Sequence, residues 1–447
     1  MIPSSSILLN LLRSNSGISD DPTSHTKIER RMERGFNLPS NMPERSCAMN
    51  STQACIAIDV SKGKSHVCAY ATKDVMVQKP IEILHDREGF KVLDDLYNRL
   101  NTVEGSPPIF IFETTGIYHR PLKRYLKDQH YPQSEVSPLL AAKHRKNSGI
   151  RIPKSDKADP KSLARLFYDG DIPLSPNSDE VYYELLQLDR SYQALTKLMV
   201  TCKVHFKEKM DVLFPRFEDC FDNVYTTYYL NLLEAYPHPD LILHKRSDAI
   251  ERRLIEDGLQ SSRAQPIVQN LKAYCQNCVP GTSSESVDTQ ILKWFIQQIK
   301  VYTEERTRII EQMTSMVETF PLFEQLISIP GIGPLLAVRL IAELGDLSRF
   351  RNMRQIIAYA GLDPLVYQSG QKDGKHLSIS KKGNRYLRTI LYQVIGISIQ
   401  VSTDHPIKTY IQKKKQTHPN KSAKIAGCAK LLRIIYSLYH SDDIYSI

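Results

Sequence analysis

Residues 55–83 read CIAIDVSKGKSHVCAYATKDVMVQKPIEI, and this stretch decides the fold of the N-terminal part of the chain. CIAIDV (55–60) is a short apolar run, HVCAYAT (66–72) alternates between apolar and polar residues, and VMVQKPIEI (75–83) follows them. Short runs of this kind, separated by a few polar residues, are typical of strands joined in a meander. The sequence therefore predicts three consecutive strands.

The pattern then changes from strands alone to strands that alternate with helices. REGFKVLDDLYNRL (87–100) has the spacing of an amphipathic helix, and PIFIFE (108–113) predicts another buried strand. A helix over 118–129, a short strand over 131–136 and a helix over 139–146 complete the pattern. Such an order indicates a mixed α/β sheet.

The middle of the chain carries two heptad runs, over 185–213 and 292–320. Each lasts about four heptads, the length at which a coiled coil becomes a reasonable prediction. Lys209 and Arg306 are the polar residues that break the two apolar seams. Two long helices in an ordinary bundle remain the alternative, and Trp294 is expected to pack on the second helix.

The net charge of the 447 residues is +10, and it is concentrated near the C-terminus. From Arg349 onward there are 17 Lys and Arg residues against 5 Asp and Glu residues, so the rest of the chain is close to neutral. A basic C-terminal quarter predicts a surface that meets a polyanion, most plausibly nucleic acid, and a solvated basic face is the alternative.

Composition excludes several classes of protein. Hydrophobic residues make up 41% and charged residues 24%, which are the values of an ordinary globular protein. No stretch approaches the roughly 18 apolar residues of a membrane-spanning helix. Eight cysteines spread over 447 residues do not form a disulfide framework, so we expect a reducing, cytoplasmic compartment.

Four carboxylates stand where a metal site is expected. Asp59 and Glu113 each end a buried strand, and neighbouring parallel strands would bring both to one sheet edge. Asp156 and Asp159 are three residues apart, at the beginning of a predicted helix that contains Pro160. Converging carboxylates repel each other unless a divalent ion lies between them, and oxygen ligands select Mg²⁺ or Mn²⁺. Taken singly, each acid could merely end a strand or cap a helix.

The sequence Ile329-Pro330-Gly331-Ile332-Gly333-Pro334 lies between two apolar helical segments. Glycines in such a turn allow close approach to a phosphate, and the following helix start is electropositive. The segment resembles the helix-hairpin-helix element of DNA-binding proteins, although a plain helical turn would have a similar sequence.

A Gly- and Lys-rich segment over 360–393 combines a serine with many cations. Ser369 precedes Gly370, and a serine beside a flexible glycine and several cations is what attack on a phosphodiester needs. A turn residue is the alternative for this serine, and Ser378 and Ser380 are competing candidates. The cations expected to bind phosphates are Lys372, Lys375, Lys381, Lys382, Arg385 and Arg388.

Read in order, these motifs resemble the IS110-type (IS110/IS1111) insertion-sequence transposases over residues 54 to about 400. The motifs that carry the resemblance are IAIDVSKGKSHVCAY, FIFETTGIYHRPLKRYL, KSDKADPKSLARL, IPGIGPLLAVRLIAELGDLSRF and YAGLDPLVYQSG followed by ISKKGNRYLRTILY. The resemblance implies a RuvC-like, RNase H-like N-terminal domain with a DEDD acidic set, a helical coiled-coil middle, and a mainly α C-terminal transposase domain.

The resemblance also implies roles for individual residues. The DEDD set falls on Asp59, Glu113, Asp156 and Asp159, and the essential serine falls on Ser369. The implied activity is DNA recombination in a homo-oligomer, a dimer or tetramer, in which the acidic site of one subunit meets the serine of another. The implied partners are the DNA of the element ends and target and a structured guide RNA. Such a protein would be bacterial or archaeal and associated with the nucleoid.

The predicted domains are a disordered tail or upstream extension (1–50), a catalytic domain (51–175), a helical coiled-coil region (176–320), a transposase domain (321–402) and a basic helical tail (403–447). Family members usually begin just before the first strand, so Met49 would be a more typical start than Met1.

Two other functions fit parts of the pattern. A metal-dependent, structure-specific nuclease similar to Holliday-junction resolvases would use water as its nucleophile, and Ser369 would then be a turn residue. A non-catalytic nucleic-acid-binding protein would use only the glycine turn and the basic C-terminal part.

Overall fold

The structure is a computed structural model of the chain, which divides into two compact units, Met1–Asn177 and Ser178–Ile447. For Asp159 it describes the main chain alone. The described residues are 52–101, 106–114, 116–136, 138, 140, 141, 144, 159–170, 180–364, 378–441 and 443–445.

A five-stranded mixed sheet forms the centre of the first unit. Its strands are β1 (Cys55–Ser61), β2 (Lys64–Thr72), β3 (Val75–Leu84), β4 (Ile109–Glu113) and β5 (Gln133–Val136). The spatial order is β3-β2-β1-β4-β5. β1, β2 and β3 pair antiparallel, whereas β4 pairs parallel with β1 and with β5. The predicted three-strand meander and the predicted mixed α/β sheet are thereby confirmed.

Helices pack on both faces of this sheet. The described helices of the first unit are α1 (Arg87–Leu100), α2 (Arg120–Asp128) and α3 (Asp159–Tyr168). Because side chains alternate along a strand, Ile56 and Ile58 pack on the face shared with α1 and α2, and Cys55 and Ala57 pack on the face covered by α3. The predicted helix over 139–146 falls largely outside the described residues.

The second unit is helical. Its described helices are α4 (Glu180–Leu213), α5 (Thr227–Ala235), α6 (Pro239–Leu243), α7 (Ser247–Glu256), α8 (Ser261–Asn277), α9 (Val287–Val317), α10 (Pro321–Ile327), α11 (Pro334–Leu344), α12 (Met353–Ala360), α13 (Arg385–Gln400), α14 (Pro406–Lys415) and α15 (Asn420–Ser441). Short 3₁₀ turns occupy Phe217–Asp219 and Leu347–Arg349.

The two predicted heptad runs form α4 and α9, which pack antiparallel along each other. The two seam-breaking residues both have partners on the opposite helix. Lys209 Nζ lies 2.7 Å from Asp288 Oδ1, and Arg306 Nη2 donates to Tyr192 Oη over 2.7 Å. Cross-helix pairing therefore compensates for the polar residues that interrupt each apolar seam.

Helices α5 to α8 cover one end of the α4–α9 pair and share an apolar core with it. The prediction that Trp294 packs on the second long helix is wrong, because its side chain is 54% exposed and contacts Phe295 edge-on, with 5.0 Å between ring centroids. Trp294 lies between the seam residues Leu292 and Phe295 in sequence, and the helical period turns it away from α4.

Helix α11 packs against α4, α9, α10 and α13, and its residues from Leu336 to Leu344 are all buried. None of the described helices combines the length with the apolar character needed to cross a bilayer.

Candidate catalytic and nucleic-acid-binding sites

Asp59 and Glu113 lie on neighbouring strands and on one face of the sheet. In the parallel β1–β4 pair, Ile58 is opposite Phe112, so the next residues along the two strands are Asp59 and Glu113. Both follow the alternation that directs Ala57 and Ile111 toward the face under α3. The register of β1 and β4 is therefore the one that the prediction for Asp59 and Glu113 requires.

Helix α3 runs over this face in the direction opposite to β1. At its C-terminal end, Tyr168 Oη donates to the main-chain oxygen of Gln53 over 3.0 Å, just before β1 begins. The first residue of α3, Asp159, is nine residues earlier, about 13 Å along a helix. Asp59 is six residues after Gln53, about 20 Å along a strand. Asp159 therefore lies toward the end of β1 that carries Asp59, and Asp156 is outside the described residues.

The chemistry of this face fits a divalent metal ion. Glu113 is 9% exposed, and its neighbour Asp59 also offers carboxylate oxygens, which are hard ligands that suit Mg²⁺ or Mn²⁺. Burial raises the pKa of the Cys55 and Cys68 thiols on the same face to about 12, so no thiolate competes there. The side chains that the structure describes include no cluster of three or more His, Cys, Asp or Glu residues that could hold a metal ion. The side chains of Asp156 and Asp159 lie outside that described set.

The glycine turn over 329–333 connects α10 to α11, as a helix-hairpin-helix element requires. Its two glycines have different surroundings. Gly331 has a φ of +94°, and a Cβ there would lie 2.9 Å from the main-chain nitrogen of Ser398. Ser398 Oγ also donates to the main-chain oxygen of Pro330 over 2.8 Å. Gly333 precedes α11, is exposed, and has open space around the position of a Cβ.

Alanine substitutions at the two glycines should therefore have different effects on stability. Gly331→Ala is expected to lower the free energy of unfolding by about 1–3 kcal/mol, because it combines an unfavourable φ with a steric overlap. Gly333→Ala introduces neither effect and should stay within about 0.5 kcal/mol of the parent. Urea unfolding of the full-length variants measures both values. Equal destabilisation by the two substitutions would contradict the different surroundings described here.

The described ends of the Gly- and Lys-rich segment are held together. Pro364 and Ile379 form an isolated antiparallel bridge, and Ser380 Oγ donates to Asp363 Oδ1 over 2.7 Å. Ser380 thus takes part in the base of the loop, and Ser378 is exposed. Among the predicted site residues, Ser369, Gly370, Lys372 and Lys375 lie outside the described residues.

The four described cations of this segment differ in their contacts. Lys381, Lys382 and Arg385 are exposed at the start of α13, and Lys381 has a φ of +55°. Arg388 instead donates through Nη1 to the main-chain oxygens of Ala360 (2.8 Å) and Gly383 (3.0 Å), and burial lowers its pKa. Its guanidinium therefore helps to close the turn that precedes α13.

Comparison with known proteins identifies the family. A transposase profile of the DEDD IS110 type matches residues 56–215, and a profile described as Transposase IS116/IS110/IS902 family matches residues 323–412. The chain belongs to this IS110 transposase family. It is accordingly a DNA transposase, in agreement with the resemblance predicted from its motifs.

Individual relatives of this IS110-family transposase differ in how much of the chain they match. The pilin gene-inverting protein of Moraxella bovis is 23% identical over 395 residues, which are 87% of this chain and 96% of the relative. The transposase for insertion sequence element IS1111A of Coxiella burnetii is 47% identical over 64 residues, 14% of this chain and 17% of the relative. An IS110 protein of Streptomyces coelicolor is 22% identical over 208 residues, 46% of this chain and 47% of the relative.

A buried network of charged side chains in the second unit was not predicted. Asp189 on α4 accepts a hydrogen bond from Arg339 Nε over 2.7 Å, and the Glu343 carboxylate accepts two from Arg190. Asp189, Arg339 and Glu343 are all buried, and burial raises the pKa of Asp189. The available signal was the pair Arg339 and Glu343, four residues apart in the otherwise apolar PLLAVRLIAEL.

The C-terminal hairpin of the IS110-family chain carries an unbalanced positive charge. Residues 406–441, which form α14 and α15, contain eight Lys and Arg residues and no Asp or Glu residue. Lys424 Nζ lies 5.5 Å from the ring centroid of Tyr392, which is on α13. A lysine of the hairpin therefore lies beside the helix that begins with the exposed Arg385.

Proposed function

We propose that this transposase cuts and rejoins DNA with an acidic metal site and a serine nucleophile, in a reaction guided by a structured RNA. The acidic site would comprise Asp59, Glu113, Asp156 and Asp159, and the nucleophile would be Ser369. The first unit would be a RuvC-like domain of the RNase H-like fold. Its strand order, with an antiparallel meander followed by two parallel strands, is consistent with that assignment.

One observation carries this proposal. Asp59 and Glu113 are adjacent on parallel strands, on the sheet face that is covered by α3, the helix that begins with Asp159. Carboxylates brought together in this way repel each other, and a divalent cation relieves that repulsion. A structural role for both acids would not require the third acid to begin the helix that covers this face.

The proposed reaction conserves the energy of the DNA linkage. Ser369 Oγ attacks the phosphorus, a phosphoserine ester forms, and the bond to one sugar oxygen breaks as that oxygen takes up a proton. A sugar hydroxyl of another DNA end then attacks the ester, which restores the serine hydroxyl and joins the strands. Because one ester replaces another at each step, rejoining needs no ATP.

The acids and the cations would have separate tasks. Asp59, Glu113, Asp156 and Asp159 would hold the metal and position the scissile phosphate. A bound divalent ion would supply the positive charge that stabilises the attacking and leaving oxygens. Cations of the 360–393 segment, together with the main-chain N–H groups at Gly331 and Gly333, would grip backbone phosphates.

The exposed cations at the start of α13 allow a test of the proposed phosphate grip. Replacing Lys381 and Lys382 together by glutamine should reduce the slope of log affinity against log salt by about 2, because each phosphate contact contributes about 0.9. The matched control replaces Lys91 and Lys293, which are exposed on α1 and α9, with the same loss of charge. Fluorescence anisotropy with one duplex DNA over a salt series measures the slopes. Identical slopes for the two double variants would contradict the assignment.

The guide RNA and the oligomer are implied by the family resemblance, and both can be examined with the full-length protein. We expect strand exchange to require RNA transcribed from the non-coding DNA beside the coding sequence. Exchange that proceeds at the same rate after complete RNase treatment would contradict RNA guidance.

Trapping the protein on cleaved DNA tests the proposed function as a whole. The full-length protein is incubated with Mg²⁺, the flanking RNA and end-labelled DNA that contains the element ends, and the products are separated on a denaturing gel. Transesterification predicts a labelled band that shifts to lower mass after proteolysis. Free DNA ends without a protein-linked band would instead indicate hydrolysis by a nuclease.

A further inference from the structure

We propose that Asn384 is a positioning residue for the serine reaction. It would fix the end of the serine-bearing segment to the long helix α4 through the buried Glu343–Arg190 pair. This inference rests on the proposed role of Ser369, and it concerns described residues to which the sequence analysis gave no role.

The described residues on either side of 365–377 lie against each other. Pro364 and Ile379 form a β-bridge, and Ser380 N donates to the main-chain oxygen of Asp363 over 2.8 Å. Gly383 then packs so closely that a Cβ there would lie 2.2 Å from the main-chain oxygen of Tyr359. The described residues that flank 365–377 are therefore held together in one place.

Asn384 ends this anchored region and uses both ends of its amide. Its Oδ1 accepts hydrogen bonds from the main-chain nitrogens of Tyr386 (3.0 Å) and Leu387 (3.1 Å), which caps α13. Its Nδ2 donates to Glu343 Oε2 over 2.7 Å and to Tyr359 Oη over 3.3 Å. The amide thus joins the helix that follows the segment to the last turn of α11.

Glu343 connects Asn384 to α4, because it also contacts Arg190 on that helix. Its carboxylate is fully buried and also accepts two hydrogen bonds from the Arg190 guanidinium. The same guanidinium stacks on the ring of Tyr386, with 3.7 Å from Cζ to the ring centroid. Arg190 therefore contacts both the partner of Asn384 and the first turn of α13.

The charges of this network balance, but burying them costs desolvation free energy. Arg190 and Arg339 oppose Asp189 and Glu343, so two cations meet two carboxylates between α4 and α11. Well-packed apolar residues of similar volume often stabilise a fold as well as buried ion pairs do. Stability alone thus does not explain these residues, whereas their directed hydrogen bonds fix how α13 and the loop base are oriented on α4.

Orientation of this kind matters for a nucleophile. Misplacement of a reacting group by about 1 Å can reduce a rate by about 100-fold, even when the altered residue is far from the chemistry. Loss of the Asn384–Glu343 hydrogen bond should therefore slow attack by Ser369 without removing any phosphate contact.

The substitution Asn384→Ser isolates this hydrogen bond. Serine also caps helices well, but it is too short to reach Glu343. Asn352→Ser is the matched control, because Asn352 caps α12 through the same contacts, with Oδ1 accepting from the main-chain nitrogens of Arg354 and Gln355. The experiment compares three quantities between the variants and the parent: the single-turnover rate of covalent adduct formation at saturating DNA, the DNA affinity and the thermal unfolding midpoint.

We expect Asn384→Ser to slow adduct formation by about 10- to 100-fold, with DNA affinity close to that of the parent. Asn352→Ser should leave the rate within about twofold of the parent. Parental rates for both variants would overturn the positioning role. Should Asn384→Ser unfold, Arg190→Lys tests the next contact of the network, because it keeps the charge but loses the two-pronged contact that holds Glu343 to α4, and we expect it to slow adduct formation as well.

The serine variant separates the two possible failures. An adduct that persists in Ser369→Ala contradicts the proposed function itself. An adduct that is absent in Ser369→Ala but forms at the parental rate in Asn384→Ser contradicts only the positioning role.

Discussion

Replacing Ser369 by alanine is expected to abolish the covalent protein–DNA adduct and to lower strand exchange by at least about 1,000-fold, the scale of loss seen when a nucleophile is removed. DNA binding should be retained, because the substitution removes a hydroxyl group and no charge. The denaturing gel described above measures the adduct, and anisotropy measures the binding.

Ser378→Ala is the matched control for this experiment. Ser378 lies in the same Gly- and Lys-rich segment and is exposed, so its loss should change neither adduct formation nor stability appreciably. Ser380 is less suitable, since its hydroxyl donates to Asp363 and supports the base of the loop. An adduct that vanished in Ser378→Ala but persisted in Ser369→Ala would transfer the nucleophile to Ser378.

Replacing Asp59 by asparagine, or Glu113 by glutamine, should also reduce adduct formation by at least about 100-fold, because each change removes a charged metal ligand while preserving shape. Mg²⁺ should raise the melting temperature of the parent, since a ligand that binds only the folded state stabilises it. The acid variants should lose this increase. Differential scanning fluorimetry with and without Mg²⁺ provides a readout that does not depend on catalysis.

Glu82→Gln is the control for the acid variants. Glu82 lies on the same sheet, opposite His66 on β2, which is in turn opposite Asp59 on β1. Its carboxylate is half-exposed and accepts a hydrogen bond from Lys64 over 2.7 Å, which lowers its pKa. We expect parental activity and a parental response to Mg²⁺. A similar loss in Glu82→Gln would indicate a general electrostatic effect of the sheet instead of a metal site.

Local patterns were sufficient to predict most of the sheet and the long helices. Three successive strands and α1 follow from alternation and amphipathic spacing, and the α1 bounds agree with the quoted stretch 87–100. The adjacency of Asp59 and Glu113 could be predicted on the condition that their two buried strands are parallel neighbours, which is the pairing that β1 and β4 have. The spacing of apolar residues along the chain reflects which face of each strand or helix is buried, and this is why these elements could be predicted.

The contacts that depend on distant polar partners could not be predicted. In the sequence, Lys209 and Arg306 are recognisable only as polar residues that interrupt the two apolar heptad seams. In the structure, each has a partner across the α4–α9 interface. Arg388 appeared as one cation among several, but its guanidinium binds main-chain oxygens that lie 28 and 5 residues earlier in the chain. A single sequence gives the charge of a residue but not the position of the partner that neutralises or binds it.

We propose that the acidic site and Ser369 act on one phosphodiester and that they come from different subunits. A mixing experiment tests this claim most directly. Asp59→Asn and Ser369→Ala proteins, each inactive alone, are combined before DNA and Mg²⁺ are added, and the covalent adduct is measured. We expect the mixture to regain a substantial part of the parental adduct, carried by the Asp59→Asn subunits. A mixture that stays as inactive as its components, although the two proteins are shown to associate, would contradict the account.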